Sequence, residues 1–492
     1  MQIVKVNAKI VDDNSGVFTE IPILLDEKKQ VIKPLLDYIL KLKRNGKSLS
    51  TITTIIKATK LLLEYMEANT NSFSTSQTMF ESFSSRLYTG TINDEGLDPS
   101  GLFWLPHSSS VAKSHIHALT QLTDWLAEKQ DTVPMNPLVN ADNFTKRLNY
   151  AAWFRKNQQD FLGHIADKNI SAIVQSARNV QGKRPLGKQN LEAIEFPEHY
   201  FEEFYFKGIG GAKDRRIVLR DQLILLLMHG GGLRESEALH LWVHDVIRIH
   251  GKKEDIKVRI YHPESGKAPD DWRSRTGKTT RAAFLKEKYA LSPRNTLIGK
   301  KHVGWKTNTF ENSDYYLEVY WFPTICGKIF EKLWKDYTRF LTGIERNHPY
   351  AFISFHRDYI GEPYTLNAFQ SSYIKGLQRI GLNFSKAEGL SPHSHRHSYG
   401  RRLRRANVDK VIIKKCLHHA SLASQEIYTA ASPTEVTTCL KQASERLLNP
   451  QEPSEQTNIQ SWEVLTQYGF EDIDSHNAHF FIKSNSKLGK IL

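Results

Sequence analysis

Residues 221–246 have the sequence DQLILLLMHGGGLRESEALHLWVHDV, in which two predicted helices are joined by a glycine turn. The apolar first helix ends at Gly230–Gly232, and the second begins at once with Arg234. Because glycine lets the backbone turn sharply, the pattern predicts that Arg234 lies near a helix N-terminus, where an anion binds favourably. Glu237, three residues later, can return along the same helical face to hold the guanidinium. Taken alone, such an Arg–Glu pair is more often a structural ion pair.

A second cluster, SPHSHRHSYGRRLRR, occupies residues 391–405. On a helix that begins after its proline, His393 and Arg396 share one face. Histidine suits proton transfer near neutral pH, and arginine can hold two phosphate oxygens at once. The alternation of His393 with His395 and His397 also resembles a metal site. However, no carboxylate or cysteine lies among them and the Arg396 guanidinium would repel a divalent cation, so we expect no metal here.

A third cluster, VDKVIIKKCLHHASLASQEIYTAAS, occupies residues 408–432. A predicted helix delivers His418 and His419, and Tyr428 follows His419 by nine residues. Taken alone, Tyr428 would be an ordinary half-buried aromatic residue. Its interpretation therefore depends on the other two clusters.

Together the three clusters resemble the catalytic domain of the tyrosine recombinase (phage integrase) family. That domain carries an arginine after a Gly-Leu turn, a His-x-x-Arg box, a late histidine and a tyrosine nine residues after it. The resemblance covers about residues 196–447. By this resemblance the catalytic residues are Arg234, Lys306, His393, Arg396, His419 and Tyr428.

The resemblance also implies a role for each residue. Tyr428 attacks a DNA phosphodiester and forms a 3′-phosphotyrosine, while the two arginines stabilise the pentacovalent transition state. His393 handles protons at the nucleophile, and Lys306 donates a proton to the departing 5′ oxygen. His419 hydrogen-bonds a phosphate oxygen. Neither metal nor nucleotide cofactor is needed, because the arginines supply positive charge.

Two residues depart from the family pattern. His395 stands before the second arginine, where the family usually has a leucine-like residue. His418 stands before the late histidine, where a glycine is usual. The interval between the two arginines is also longer than is common, which predicts an insertion within residues 250–320.

The insertion leaves three candidates for the catalytic lysine, which the family carries on a β-hairpin between the arginines: Lys278, Lys301 and Lys306. We prefer Lys306 because the stretch after it runs into a β-like segment, YLEVYWFP, and then a helix. Lys278 belongs to RTGKTT, which looks like the end of a phosphate-binding P-loop. That motif requires a glycine where Trp272 stands, and we expect no suitable helix after it, so the sequence does not predict ATP binding.

Composition is consistent with a partner that carries many negative charges. The formal net charge is +14, and nucleic acid is the commonest such partner. The family resemblance implies that this partner is double-stranded DNA. Three widely spaced cysteines indicate neither a disulfide framework nor a cysteine-rich zinc site: Cys326, Cys416 and Cys439. No secretory signal or membrane span is visible, so we expect a cytoplasmic protein, associated with the nucleoid in a bacterium.

The chain divides by pattern into five parts. Residues 1–25 suggest short strands or an arm, 26–145 a helical core-binding domain, 146–195 a connector, 196–448 the catalytic domain and 449–492 a linker and tail. The expected fold is mostly α with a small antiparallel β-sheet (α+β), a helical N-terminal core-binding domain preceding a tyrosine-recombinase-like catalytic domain. Within the helical domain, Ser50 is expected to cap the second helix.

We therefore predict a site-specific DNA recombinase or integrase that integrates or excises a mobile genetic element. A homotetramer on paired DNA sites is expected, because in the family the region after the nucleophile, here the predicted helix Thr434–Leu448, often docks on a neighbouring subunit. Accessory DNA-bending or element-encoded proteins are possible partners. A type IB topoisomerase and a non-catalytic DNA-binding protein are the alternatives. The DNA target sequence is not readable from the chain.

Overall fold

Two antiparallel strands open the computed structural model, which describes residues 3–11, 13–158, 174–183, 194–248 and 256–419. Strand β1 (Val4–Ile10) pairs with β2 (Thr19–Leu25), with Val4 opposite Leu25. Val6, Ala8 and Ile10 of β1 pack, half-buried, against a hydrophobic core in which the central residues of β2 are buried. The alternation in the sequence therefore predicted strands correctly.

Helices cover the buried face of this hairpin and share its hydrophobic core. They are α1 (Lys33–Arg44), α2 (Leu49–Ala68), α3 (Ser76–Thr89) and α4 (Ser109–Gln130). The expected cap at Ser50 was wrong, since the hydroxyl of Ser48 accepts the hydrogen bond from the Thr51 amide. Strand β3 (Leu138–Asn140), helix α5 (Asn143–Gln158) and strand β4 (Ser176–Arg178) follow, and β3 pairs antiparallel with β4.

A second, larger hydrophobic core begins at Phe196. The helices around it, in chain order, are α6 (Glu198–Glu203) with the π-helical turn Phe204–Ile209, α7 (Arg215–His229), α8 (Glu235–Ala238), α9 (Arg281–Tyr289), α10 (Ile325–Thr342), α11 (Leu366–Arg379), α12 (Pro392–Arg405) and α13 (Lys410–Cys416). Short 3-10 turns lie at Val243–Asp245, Gly299–Lys301 and Arg357–Tyr359. One antiparallel sheet has the order β5 (Val246–Arg248), β6 (Ile256–Tyr261) and β7 (Tyr316–Glu318). The predicted α+β class, mostly helical with small antiparallel sheets, is confirmed.

Helix α7 runs through the middle of this core and fixes the glycine turn after it. Every residue from Val218 to His229 is buried, so packing surrounds the helix on all sides. At the turn, Gly232 has φ +70, which favours glycine, and a Cβ there would lie 2.5 Å from Cδ1 of Tyr399 in α12. The turn that leads to Arg234 is therefore pressed directly against α12.

The connection between β6 and β7, residues 262–315, lies within the stretch predicted to hold an insertion. It contains α9, so the expectation that no helix follows RTGKTT was wrong: Thr280 caps α9 by accepting from the Ala283 amide at 3.4 Å. A buried ion pair between Arg281 and Asp245 attaches α9 to the 3-10 turn before β5. Trp272, at the position where a P-loop needs glycine, packs edge-on against Phe284 at 5.3 Å.

None of the helices in the described ranges is long and apolar enough to cross a membrane.

Candidate active site

Arg234 is the N-cap residue of the short helix α8, as the glycine turn predicts. Its backbone amide donates to Oε2 of Glu237 at 3.0 Å, and its Nη1 donates to Oε1 of the same carboxylate at 2.5 Å. Glu237 is completely buried, whereas the Arg234 side chain is 20% exposed. The carboxylate thus fixes the guanidinium from the protein side and leaves its other side open.

Thr307 closes a ring of hydrogen bonds with this pair. Nη1 of Arg234 donates to the Thr307 hydroxyl at 2.9 Å, and the hydroxyl donates to Oε1 of Glu237 at 2.8 Å. Within the described part of the chain only Nη1 of the guanidinium has hydrogen-bond partners, so Nε and Nη2 stay available to an anion. We did not anticipate Thr307 from the sequence, although it directly follows the preferred lysine.

Glu237 carries a negative charge that the site itself stabilises. Burial raises the pKa of this carboxyl, but the charges of Arg234 and Arg396, with hydrogen bonds from Arg234 and Thr307, lower the pKa to about 2. A buried carboxylate would be costly without such partners. Glu237 therefore links the two arginines that come from distant parts of the chain.

Arg396 joins three segments of the site. It lies on α12 and is 1% exposed, with Nη1 donating to the Gly232 carbonyl at 2.5 Å and Nη2 donating to the Leu417 carbonyl. The glycine turn and the end of α13 are therefore held by one rigid planar group. The predicted convergence of Arg234 and Arg396 is observed, and it depends on the tertiary packing of α7, α12 and α13.

His393 and His419 lie around the arginines. His393 is exposed in the first turn of α12, with its ring 4.6 Å from that of His397. Desolvation within the cluster and then the charges of Arg396, Arg234 and Lys306 lower its pKa to about 4. Burial and then the two arginines lower the pKa of His419 to about 3. Both rings are neutral at pH 7 and can accept a proton or donate a hydrogen bond.

The three candidate lysines have different surroundings. Lys306 is exposed. Its charge adds to the lowering of the pKa of His393 and opposes the burial that raises the pKa of Glu235. The neighbouring Thr307 bonds to Arg234, so this segment reaches the cluster. Lys301 instead forms an ion pair with Glu362 at 2.9 Å, and Lys278 lies exposed in the loop before α9. Of the three, Lys306 is the lysine that the structure brings to the arginines.

Tyr428 lies outside the described residues, as does the predicted helix Thr434–Leu448. The structure therefore places Arg234, Lys306, His393, Arg396 and His419 together and gives no position for the expected nucleophile. Among the residues that are described, no group of three or more His, Cys, Asp or Glu side chains is arranged to hold a metal ion.

His395, which replaces a leucine-like residue, is a core residue with polar partners. Its Nδ1 lies 3.0 Å from Nδ1 of His229, its Nε2 lies 2.9 Å from the Tyr373 hydroxyl, and its ring stacks on Phe196 at 4.2 Å. Burial and then the charges of His229 and Arg402 keep its pKa well below the usual value. His395 therefore joins α7 and α11 to α12 and does not face the arginine cluster.

Buried neutral histidines predict a loss of stability in acid. Burial is the largest cause that lowers the pKa of His240 to about 3 and that of His348 to about 4. Histidines in an unfolded chain titrate near 6.5. Below pH 6.5 the unfolded chain therefore binds more protons than the folded chain, and stability falls as the pH falls. Between pH 7 and 5 each such histidine should cost about 2 kcal/mol in the free energy of unfolding.

Urea unfolding at pH 7 and pH 5 measures this loss. His348→Gln cannot titrate, so its own pH dependence should be smaller than that of the wild type by about the same 2 kcal/mol. His356, an exposed histidine, offers the matched control His356→Gln, which should keep the wild-type dependence. Stability that stays constant or rises between pH 7 and 5 would contradict the prediction.

Residues 211–435, which contain all five described members of the cluster, match the model of the phage integrase family. These residues form a tyrosine recombinase domain. Recombinases of this family cleave and rejoin DNA strands, and this chain has that enzymatic activity class.

Two curated relatives are similar to this recombinase. Transposase A from transposon Tn554 of Staphylococcus aureus (strain N315) is 23% identical over 406 residues, which cover 81% of this chain and 87% of that protein. Tyrosine recombinase XerA of Pyrococcus horikoshii is 26% identical over 227 residues, covering 46% of this chain and 55% of that protein.

Solved structures of recombinases also match. The XerH site-specific recombinase bound to its difH substrate, a pre-cleavage complex, is 17% identical with a TM-score of 0.45, covering 83% of this chain and 84% of that chain. The Tn1549 transposon integrase in complex with circular intermediate DNA is 13% identical with a TM-score of 0.31, covering 78% of this chain and 99% of that chain.

Proposed function

We propose that this recombinase moves a mobile genetic element by cutting and rejoining paired DNA sites, with Tyr428 as the nucleophile. The observation that carries the proposal is the convergence of Arg234, Arg396, His393 and His419 around the buried Glu237. These residues follow the chain order that the family requires, and Tyr428 stands nine residues after His419. The similarity to a transposase supports the mobile element as the substrate.

The proposed reaction keeps the energy of the phosphodiester bond. The Tyr428 oxygen attacks the phosphorus and loses its proton to His393, whose neutral ring can accept it. The bond to the 5′ oxygen breaks, and that oxygen takes a proton from Lys306 and leaves as a hydroxyl. The product is a 3′-phosphotyrosine and a free 5′ hydroxyl. A 5′ hydroxyl of a partner strand then attacks the phosphotyrosine in the reverse sense and releases Tyr428.

The arginines and His419 act on the nonbridging oxygens. Nε and Nη2 of Arg234 make no hydrogen bond to Glu237 and can donate to an oxygen that gains charge in the transition state. Arg396 adds a second positive charge from α12 and is fixed by two carbonyls, so it needs no reorganisation during the reaction. His419 would donate one further hydrogen bond. These groups provide the charge stabilisation that Mg²⁺ provides in other phosphoryl-transfer enzymes.

This proposal predicts DNA cleavage that is independent of divalent metal. A double-stranded substrate nicked beside the scissile phosphate loses the short leaving fragment, so each cleaved DNA stays attached to the protein. We expect the covalent adduct to form at the same rate with and without EDTA, within about twofold, because arginines supply the charge. A denaturing gel with end-labelled DNA measures the adduct. Loss of the adduct in EDTA and its return with Mg²⁺ would contradict the proposed mechanism.

The remaining parts of the chain have proposed roles in assembly. The helical region 26–145, with basic residues on α1 and α2, would hold the duplex mainly through phosphate contacts together with the catalytic region 196–448. Thr434–Leu448 would dock on a neighbouring subunit and give a homotetramer on paired sites. Accessory DNA-bending proteins would act in this assembly, on cytoplasmic DNA of the nucleoid.

A further inference from the structure

His418 occupies a backbone position that suits glycine. Helix α13 ends in a Schellman motif, in which the His418 amide donates to the Lys415 carbonyl at 3.1 Å and the His419 amide donates to the Lys414 carbonyl at 3.1 Å. In this motif His418 takes the left-handed conformation, with φ +52. A residue with a side chain pays about 1–2 kcal/mol for that conformation, and glycine does not.

The imidazole of His418 carries a second cost. Its Nε2 is shielded from solvent and has no hydrogen-bond partner in the part of the chain that the structure describes. A buried polar group in that condition costs about 1–3 kcal/mol. Glycine would avoid both costs at once. Strained residues are concentrated at functional sites. The strain at His418 therefore indicates that its side chain has a functional role that glycine could not fill.

The neighbours of His418 indicate that this role belongs to the arginine cluster. Arg396 donates to the carbonyl of the preceding residue, Leu417, so the backbone beside His418 is held by the second arginine. The charges that act on the ring come from Glu237, Arg396, Glu311 and Arg234. Its other neighbour is the ring of Tyr320, with the centroids 6.4 Å apart. His418 is therefore part of the arginine cluster and lies beside His419.

His418 is also uncharged near neutral pH. Burial is the largest influence and lowers its pKa to about 4, with Arg396 and Arg234 acting in the same direction and Glu237 and Glu311 opposing them. A neutral ring carries a proton on one nitrogen, and Nε2 can serve as that donor.

We propose that His418 is an additional phosphate ligand, whose Nε2–H donates a hydrogen bond to a nonbridging oxygen of the scissile phosphate. The inference rests on the proposed function, because it assigns the phosphate to the cluster of Arg234 and Arg396. The bond satisfies the buried nitrogen only when DNA is bound. Two adjacent imidazoles, His418 and His419, would then face the phosphate where the family pattern supplies one.

The substitution His418→Gly separates this role from a structural one. Glycine removes the backbone strain and the unsatisfied nitrogen, so the thermal midpoint should stay the same or rise. Adduct formation on the nicked substrate in a single turnover should nevertheless fall about 10- to 100-fold, the effect of losing a hydrogen bond to a charged group. His418→Gln, whose amide nitrogen can replace Nε2, should recover part of the rate.

Ala290→Gly is the matched control. Ala290 has φ +56 and is exposed at the end of α9, away from the arginines, so its replacement relieves the same kind of strain. Adduct formation by this variant should equal that of the wild type. A methylphosphonate at the scissile position replaces one nonbridging oxygen with a methyl group, and its two stereoisomers lack different oxygens. On the stereoisomer that lacks the oxygen contacted by His418, wild type and His418→Gly should form the adduct at the same rate.

Three outcomes would overturn the inference when the wild-type chain itself forms the adduct. Wild-type rates in His418→Gly would show that the ring has no contact with the phosphate, and a parallel loss of stability and rate would show a structural role. An equal loss on both methylphosphonate stereoisomers and on the natural phosphate would exclude the oxygen contact. If the wild-type chain itself forms no adduct, the proposed function fails, and the inference fails with it.

Discussion

Tyr428→Phe is expected to form no covalent adduct with a nicked DNA substrate. The substitution removes only the phenolic oxygen, which is the proposed nucleophile. We expect the rate of adduct formation to fall by at least about 10³-fold, as for removal of the nucleophile in other enzymes that act through a covalent intermediate. The measurement is the labelled DNA that migrates with the protein on a denaturing gel.

Tyr468→Phe is the matched control for this variant. Tyr428 and Tyr468 are the two tyrosines of the chain after His419, and Tyr468 lies in the expected C-terminal tail. Its variant should form the adduct at the wild-type rate, and both variants should bind the duplex with wild-type affinity. Equal trapping by Tyr428→Phe would remove Tyr428 as the nucleophile. Loss of the adduct with Tyr468→Phe alone would identify Tyr468 as the nucleophile.

Arg234→Ala should have two large effects together. Loss of the guanidinium removes donors aimed at the charge that develops on the phosphate, so the cleavage rate should fall about 10²- to 10³-fold. It also leaves Glu237, which is completely buried, without its closest counter-ion. The free energy of unfolding should therefore fall by about 3 kcal/mol. Single-turnover cleavage and urea unfolding measure the two effects.

A second arginine offers a control with the same spacing. Arg339 and Asp336 also form an ion pair three residues apart on a helix, α10, but their side chains are 80% and 40% exposed. Arg339→Ala should change stability by less than about 1 kcal/mol and leave cleavage unchanged, since exposed pairs contribute little. If Arg234→Ala cleaves within about tenfold of the wild type, Arg234 does not bind the scissile phosphate.

Much of the site was predictable because its parts are locally encoded. The glycine turn before Arg234, the return of Glu237 along one helical face and the shared face of His393 and Arg396 depend only on spacings of a few residues. Those spacings record helix geometry directly. The mostly helical α+β class was predictable for the same reason, since the hydrophobic periodicity differs between helices and strands.

Other features were missed because their partners are far away in the chain. Thr307 is isolated from Arg234 in sequence, and nothing near it indicates a hydrogen bond to that residue. His395 was noted as a departure from the family pattern, but its bonds to His229 and Tyr373 come from two other helices. Helix α9 was missed because it has only 9 residues, too few to show a clear hydrophobic period, although Thr280 caps it.

The class of chemistry was readable from the order of residues along the chain: two arginines, two histidines and a tyrosine. The packing of distant segments adds which candidate lysine lies near the arginines and which groups hold them. Lys306 reaches the cluster through Thr307, while Lys301 is held by Glu362. Hydrophobic periodicity and short spacings indicate contacts within one helix or strand. The buried carboxylate of Glu237, in contrast, is stabilised by Arg234 and Arg396, which come from segments that meet only when the core packs.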